Sequence, residues 1–88
     1  MQFDWDAENI DHLARHDIMP MEAEEVIEID SVDYELQQDE TEDRVLCLGR
    51  TAAGRLLAVV YTERGEAIRV ITAYPMAKWQ ERIYFEDK

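Results

Sequence analysis

Arg44-Val45-Leu46-Cys47-Leu48-Gly49-Arg50, Arg55-Leu56-Leu57-Ala58-Val59-Val60-Tyr61-Thr62 and Ala67-Ile68-Arg69-Val70-Ile71-Thr72-Ala73 are the three runs whose reading decides the fold. Each reads as a β-strand. Thr51-Ala52-Ala53-Gly54 connects the first two, with Gly54 to supply positive φ, and Glu63-Arg64-Gly65-Glu66 is the next turn. Strands joined this closely form an antiparallel meander. In the middle strand Leu56 to Val60 are apolar without a break, which marks a central strand covered on both faces. The third strand alternates Ile68, Val70 and Thr72 against Arg69 and Ile71.

Upstream of the meander, Phe3-Asp4-Trp5 alternates like a short strand, and Asp6 offers an N-cap carboxylate. Ala7 to His16 reads as a helix with Ile10, Leu13 and Ala14 on its apolar face, closed by Asp17 in a left-handed conformation. Pro20 suits the first turn of a second helix, and Glu22 the positive end of its dipole. Met21, Ala23, Val26 and Ile27 form its apolar face and Glu24, Glu25 and Glu28 its wet one, to an end near Ile29 or Asp30. Val32-Asp33-Tyr34-Glu35-Leu36 alternates as an edge strand, and Gln37 to Asp43 is a polar, acidic turn. Downstream, Tyr74-Pro75 starts a last helix on which Met76, Trp79, Ile83 and Tyr84 share helical spacing. The expected fold is α+β over one domain, residues 1–88: a small, mostly antiparallel sheet (N-terminal strand plus three-strand meander) with two N-terminal helices and a C-terminal helix.

The formal charge of −12 is unevenly spread. Residues 1–43 carry sixteen acids and one base, Arg15, whereas residues 44–88 carry eight bases and five acids. So acidic a surface repels phosphate at long range and argues against broad nucleic-acid binding, while leaving room for a local basic patch on the second half. An acidic face also suits a basic protein partner. The one cysteine, Cys47, sits in an apolar run with no neighbouring base and reads as an inert strand residue. No signal peptide or membrane-length apolar stretch is present, so no membrane partner is implied and the expected compartment is the cytoplasm.

Two constellations carry candidate chemistry. His12 and His16 lie four apart with Glu8 on the same side, a spacing open to a metal but equally to a surface pair, and His12-Leu13-Ala14-Arg15-His16 lacks the glutamate of the zinc-protease motif. Arg55, Arg64, Arg69 and Arg82 lie on the meander and last helix. Convergent arginines with a hydroxyl such as Thr72, Tyr74 or Tyr84 bind phosphate and stabilise charge in phosphodiester cleavage; the ordinary reading pairs them with the chain's many acids. No phosphate loop, nucleophile elbow or cysteine-rich site is present, and no cofactor is implied.

Several stretches together resemble the BrnT-like toxin family. They are Phe3-Asp4-Trp5-Asp6, Asn9 to Ile18, Pro20 to Val26, Leu48-Gly49-Arg50-Thr51, Gly54 to Thr62 and Ile68 to Met76, in the family's order and covering nearly the whole chain. The resemblance implies a fold similar to that of RelE-like proteins and a ribonuclease toxin neutralised by a DNA-binding antitoxin, of ribbon–helix–helix type, in a type II toxin–antitoxin system. It places a functional Arg and Glu where this chain has Tyr74 and Gln80, and similar residues at Arg64, Arg69, Arg82 and Tyr84, with Thr72 replacing a serine hydroxyl. Two functions follow as expectations. In one, the chain cleaves RNA, with Arg64, Arg69 and Arg82 on the phosphate and Tyr74 or Tyr84 as a polar participant. In the other, it is non-catalytic, and its acidic half docks a basic antitoxin-like or DNA-binding partner.

Overall fold

A computed structural model describes residues 1–38 and 41–87. Asp39 and Glu40, in the expected acidic turn, lie outside the described residues. The elements run β1 (Gln2–Phe3), α1 (Ala7–Ala14), α2 (Pro20–Ile29), β2 (Ser31–Gln38), β3 (Asp43–Arg50), β4 (Leu56–Arg64), β5 (Ala67–Pro75) and α3 (Lys78–Asp87). One sheet holds all five strands in the order β1-β5-β4-β3-β2. The meander is antiparallel and extends through β2, while β1 joins β5 in parallel.

The unbroken apolar run of β4 has the expected cause. β4 is the central strand, and its two faces feed two cores. Leu57 and Val59 pack with Cys47, Val70 and Ala73 under Leu13 of α1 and Ala23 and Val26 of α2. Leu56, Ala58 and Val60 pack with Leu46 and Leu48 under Met76 and Tyr84 from the α3 side. The alternation of β5 shifts at a bulge: Val60 pairs with Thr72 but Tyr61 with Val70, so Ile71 is the extra residue.

The N-terminal turns follow the predicted chemistry. Asp6 caps α1 by accepting from the amides of Glu8 and Asn9 at 3.0 and 3.2 Å. Asp17 takes φ 58° after the helix, and Pro20 opens α2 while Glu22 accepts the Met19 amide at 3.0 Å. Gly54 and Gly65 have the expected positive φ.

Several expectations are corrected. The N-terminal strand is Gln2–Phe3 rather than Phe3–Trp5: Asp4 makes one more bond to β5, and then the Asp6 cap turns the chain. The inner face of α1 is Asn9 and Leu13, while Ile10 and Ala14 are exposed. This helix lies against the β5 backbone, so the position facing the sheet is filled by a polar side chain. Asn9 donates to the carbonyls of Asp4 and Val70 at 2.9 and 3.0 Å and accepts from the Asp6 amide at 2.8 Å. Lastly, Tyr74 and Pro75 belong to β5 and the helix waits until Lys78. The Met76 amide still donates to Leu56 O at 3.0 Å, and Gln80 caps α3 by accepting the Ala77 amide at 2.8 Å. Trp79 consequently points outward, 48% exposed, and Gln80 with Tyr84 faces in. Met21 of α2 is likewise exposed.

Candidate functional site

The strand register creates the site. Arg44 pairs with Thr62, and Thr62 pairs with Arg69, so three neighbouring strands present these residues in one row. Residues facing each other across a ladder emerge on the same face, and Arg64, two along from Thr62, emerges there too. With Glu8, Asn9 and His12 of α1, and Glu42 before β3, the three arginines line a cleft of about 100 Å³.

Arg69 is the buried member. Its guanidinium lies 3.1 Å from Asp6, 3.5 Å from Asp4 and 3.8 Å from Glu8, so it clamps the β1–α1 connection to β5. The hydrogen bond from Arg69 holds the Asp6 carboxyl below its ordinary range, and the same bond raises Arg69. Arg64 and Arg44 are the accessible members, with side chains 52% and 41% exposed. Both lean on Glu42, whose two oxygens lie 3.4 Å from Arg64 and 3.8 Å from Arg44. His12 Nδ1 sits 3.3 Å from Ile71 O. A carbonyl only accepts, so Nδ1 carries the proton and Nε2 of the neutral ring is the basic nitrogen.

Of the seven residues singled out in the sequence for phosphate chemistry, the structure brings only Arg64 and Arg69 together in this cleft. Thr72 is half-buried on β5 opposite Val60. The Tyr74 hydroxyl accepts from Gln80 Nε2 at 3.0 Å, and its ring stands 6.3 Å from that of His16. Tyr84 is buried and its hydroxyl donates to Asp30; burial, then that bond, push its phenol up. Arg82 is exposed on α3, in a separate shallow depression with Lys78 and Phe85. Arg55 holds the turn between α1 and α2, bonding Glu22 at 2.9 Å and Asp17 O at 3.0 Å. Gln80, at the position where the resemblance expects a functional glutamate, is spent on the α3 cap and on Tyr74. His12 and His16 face different neighbours, Ile71 and Tyr74, and among the described residues no cluster of three His, Cys, Asp or Glu fits a metal ion.

Sequence reasoning missed Arg44 and His12 as partners of Arg64 and Arg69. The signal was the strand register, which becomes readable only when both hairpin turns are placed to the residue.

No helix among the described residues is long and apolar enough to cross a membrane. Neither a curated protein nor a solved structure matches the chain. The model of the family described as ribonuclease toxin, BrnT, of type II toxin–antitoxin systems matches residues 5–79, which takes in the cleft and every element from α1 to β5. The chain therefore belongs to the BrnT family of type II toxin–antitoxin ribonuclease toxins.

Proposed function

We propose that this chain is the RNA-cleaving toxin of its pair and that cleavage occurs in the cleft of His12, Arg44, Arg64 and Arg69. The observation that supports this reading is the gathering of three arginines and an imidazole with a defined basic nitrogen in one small cleft. The chemistry is transesterification. His12 Nε2 takes the proton of a ribose 2′-hydroxyl, whose oxygen attacks the adjacent phosphorus. The 5′-oxygen leaves and takes up a proton, giving a 2′,3′-cyclic phosphate and a 5′-hydroxyl. Arg44 and Arg64, turning from Glu42 to the phosphate, stabilise its gathering charge. Arg69, fixed by Asp6, holds α1 and hence His12 in register with the arginines.

A cleavage assay with the purified chain and a fluorescent RNA tests this. His12→Ala should slow cleavage roughly 10²–10⁴-fold, the usual worth of a general base. Equal rates in the wild type and the variant remove His12 from the mechanism. A second reading is favoured by the carboxylate that lies within 4 Å of each of the three arginines. If the wild type fails to cleave RNA even at high concentration, the cleft is an internal ion-pair network. The protein then acts by binding, its acidic half docking a basic ribbon–helix–helix antitoxin. On either reading the cytoplasm is the compartment that supplies RNA and partner.

A further inference from the structure

The two edges of the sheet are finished differently. Next to β5 the chain closes its own edge: the Asp4 amide donates to Ile68 O at 2.8 Å, Asn9 Nδ2 to Val70 O at 3.0 Å and His12 Nδ1 to Ile71 O at 3.3 Å. At the opposite edge β2 runs for eight residues. Among the described residues no hydrogen bond reaches its backbone from outside the β2–β3 ladder. Every second backbone amide and carbonyl of such a strand is open to a further strand.

The side chains of β2 specify which strand. All of Ser31–Gln38 except Val32 are exposed, and none is basic. Asp33 and Glu35 flank Tyr34, the residue at which the ladder shifts register. A second copy of β2 laid along this edge would set acids against acids, and like charges directly opposite one another are destabilising. That disfavours self-pairing in register and favours a strand of opposite charge, the usual division of labour between repulsion and attraction in specific pairing. Beside the edge, Tyr34 and Trp79 meet with ring centroids 5.9 Å apart, 41% and 48% exposed, and Leu36 is 56% exposed. The acids of α2 are less available: Glu24 accepts the Trp5 indole at 2.7 Å and Glu25 the Ala52 amide at 3.1 Å.

We propose that the outer edge of β2 is the docking site for an extended segment of the antitoxin that carries basic and apolar residues on both of its faces. The segment joins the sheet as a sixth strand, with a basic residue reaching Asp33 beside Leu36 on the face of α1 and α2 and another reaching Glu35 beside Tyr34 and Trp79 on the face of α3. The proposal rests on the chain's membership of a toxin–antitoxin family and is independent of whether the cleft is catalytic.

The test uses the full chain, ¹⁵N-labelled, and an end-blocked eight-residue peptide in which pairs of lysines alternate with pairs of valines. Saturable amide shifts along Val32–Gln38 are expected, with no response to a glutamate–valine peptide. Asp33→Lys with Glu35→Lys should weaken the lysine peptide at least ~10-fold and admit the glutamate one, since like-charge contacts across an interface are strongly unfavourable. A lysine–valine peptide N-methylated at alternate amides, on the hydrogen-bonding side, should not bind. Equal binding of the methylated peptide, shifts centred on α2 or on Glu42, or dimerisation of the free chain through β2 would each overturn the proposal. RNA cleavage is followed in the same samples. Lost docking with intact cleavage sinks the edge alone, and absent cleavage with intact docking sinks the catalytic reading alone.

Discussion

Gly49 is the position where the packing of the domain is tightest, and replacing it with alanine should be severe. A Cβ built on Gly49 would lie 1.9 Å from Asp30 O and 2.8 Å from a Val26 methyl. Carbon–oxygen contacts sit near ~3.3 Å, so the backbone at the end of α2 has to move away from β3 by roughly 1.4 Å. That junction carries much else. The Asp30 amide closes α2 on Val26 O at 3.3 Å, and the Asp30 carboxylate accepts from the Arg50 amide at 3.2 Å and from Tyr84. Ser31, the next residue, is the partner of Gly49 in the first pair of the β2–β3 ladder. Overpacking costs about 1–3 kcal/mol, and here the upper end applies because backbone rather than a flexible side chain must yield. One weakened hydrogen bond adds about 1 kcal/mol. A total of about 3–4 kcal/mol is a large part of the ~4–13 kcal/mol expected for a domain of this length. At about 4–8 °C per kcal/mol the melting temperature should fall by roughly 12–32 °C. Thermal and urea melts by circular dichroism read this directly. Gly54→Ala and Gly65→Ala provide the comparison, because nothing lies within 4 Å of either site and only the positive φ is strained. Those should lose about 1–2 kcal/mol. A Gly49→Ala protein that melts within a few degrees of wild type, or that is milder than Gly54→Ala, would refute the close-approach argument.

Other outcomes follow from the same geometry. Glu42→Gln frees Arg44 and Arg64 and should raise RNA affinity several-fold at low salt, read by fluorescence anisotropy; weaker binding would place Glu42 on the substrate instead. Tyr84→Phe removes the bond to Asp30 and should cost about 1.5–3 kcal/mol, the range for a hydrogen bond to a charged group, while leaving any RNA cleavage unchanged. Both pH limbs have a sign. Asp6 is held below its ordinary value, so its contribution is complete above that value and is lost as pH falls through the depressed one, first loosening the β1–α1 clamp on Arg69. Burial pushes the Cys47 thiol and the Tyr61 phenol up to about 12, with Asp33 adding to both, and Tyr84 is raised as well. Stability supplied by these groups is complete below their ordinary values and falls as pH rises above 9–10, where the unfolded chain ionises first. Alkaline melts should show this decline, and Cys47 should resist alkylation in the native protein at neutral pH.

The meander was legible because three apolar runs are punctuated by glycines at the turns, and the break-free run of β4 correctly signalled a strand with a core on each side. What escaped were positions where a polar residue does the work of packing. Asn9 occupies the inner face of α1 because a helix crossing beside a strand meets backbone carbonyls there, and periodicity scores only apolar residues. Gln80 stands where the resemblance places a functional glutamate, but its amide caps α3 and reaches Tyr74. The candidate site was half legible. Arg64 and Arg69 stood out as cations near a turn and on a strand. Arg44 and His12 joined them only through the pairing of Arg44, Thr62 and Arg69 and through the seat of α1 on β5, both of which depend on register to the residue.

The lopsided charge acquires a different meaning once the partners are known. The acidic half is not simply a solvated face, because its carboxylates secure the cationic half. Asp4, Asp6 and Glu8 hold Arg69, Glu22 holds Arg55, and Glu42 holds Arg44 and Arg64. These pairs staple the first two helices and the β2–β3 connection to the meander, and partly exposed pairs of this kind contribute little individually to stability. Their larger effect is on availability. An arginine already facing a carboxylate would offer a phosphate only the difference between two similar contacts. The β2 acids are in the reverse situation: Asp33 and Glu35 have no cation of this chain as an ion-pair partner among the described residues. On β2 Glu35 accepts from the neutral amide of Gln37 at 2.9 Å, whereas the arginines of the cleft already face carboxylates. For a member of a toxin–antitoxin family, that contrast makes β2 rather than the cleft the place where long-range attraction to the proposed basic segment would act.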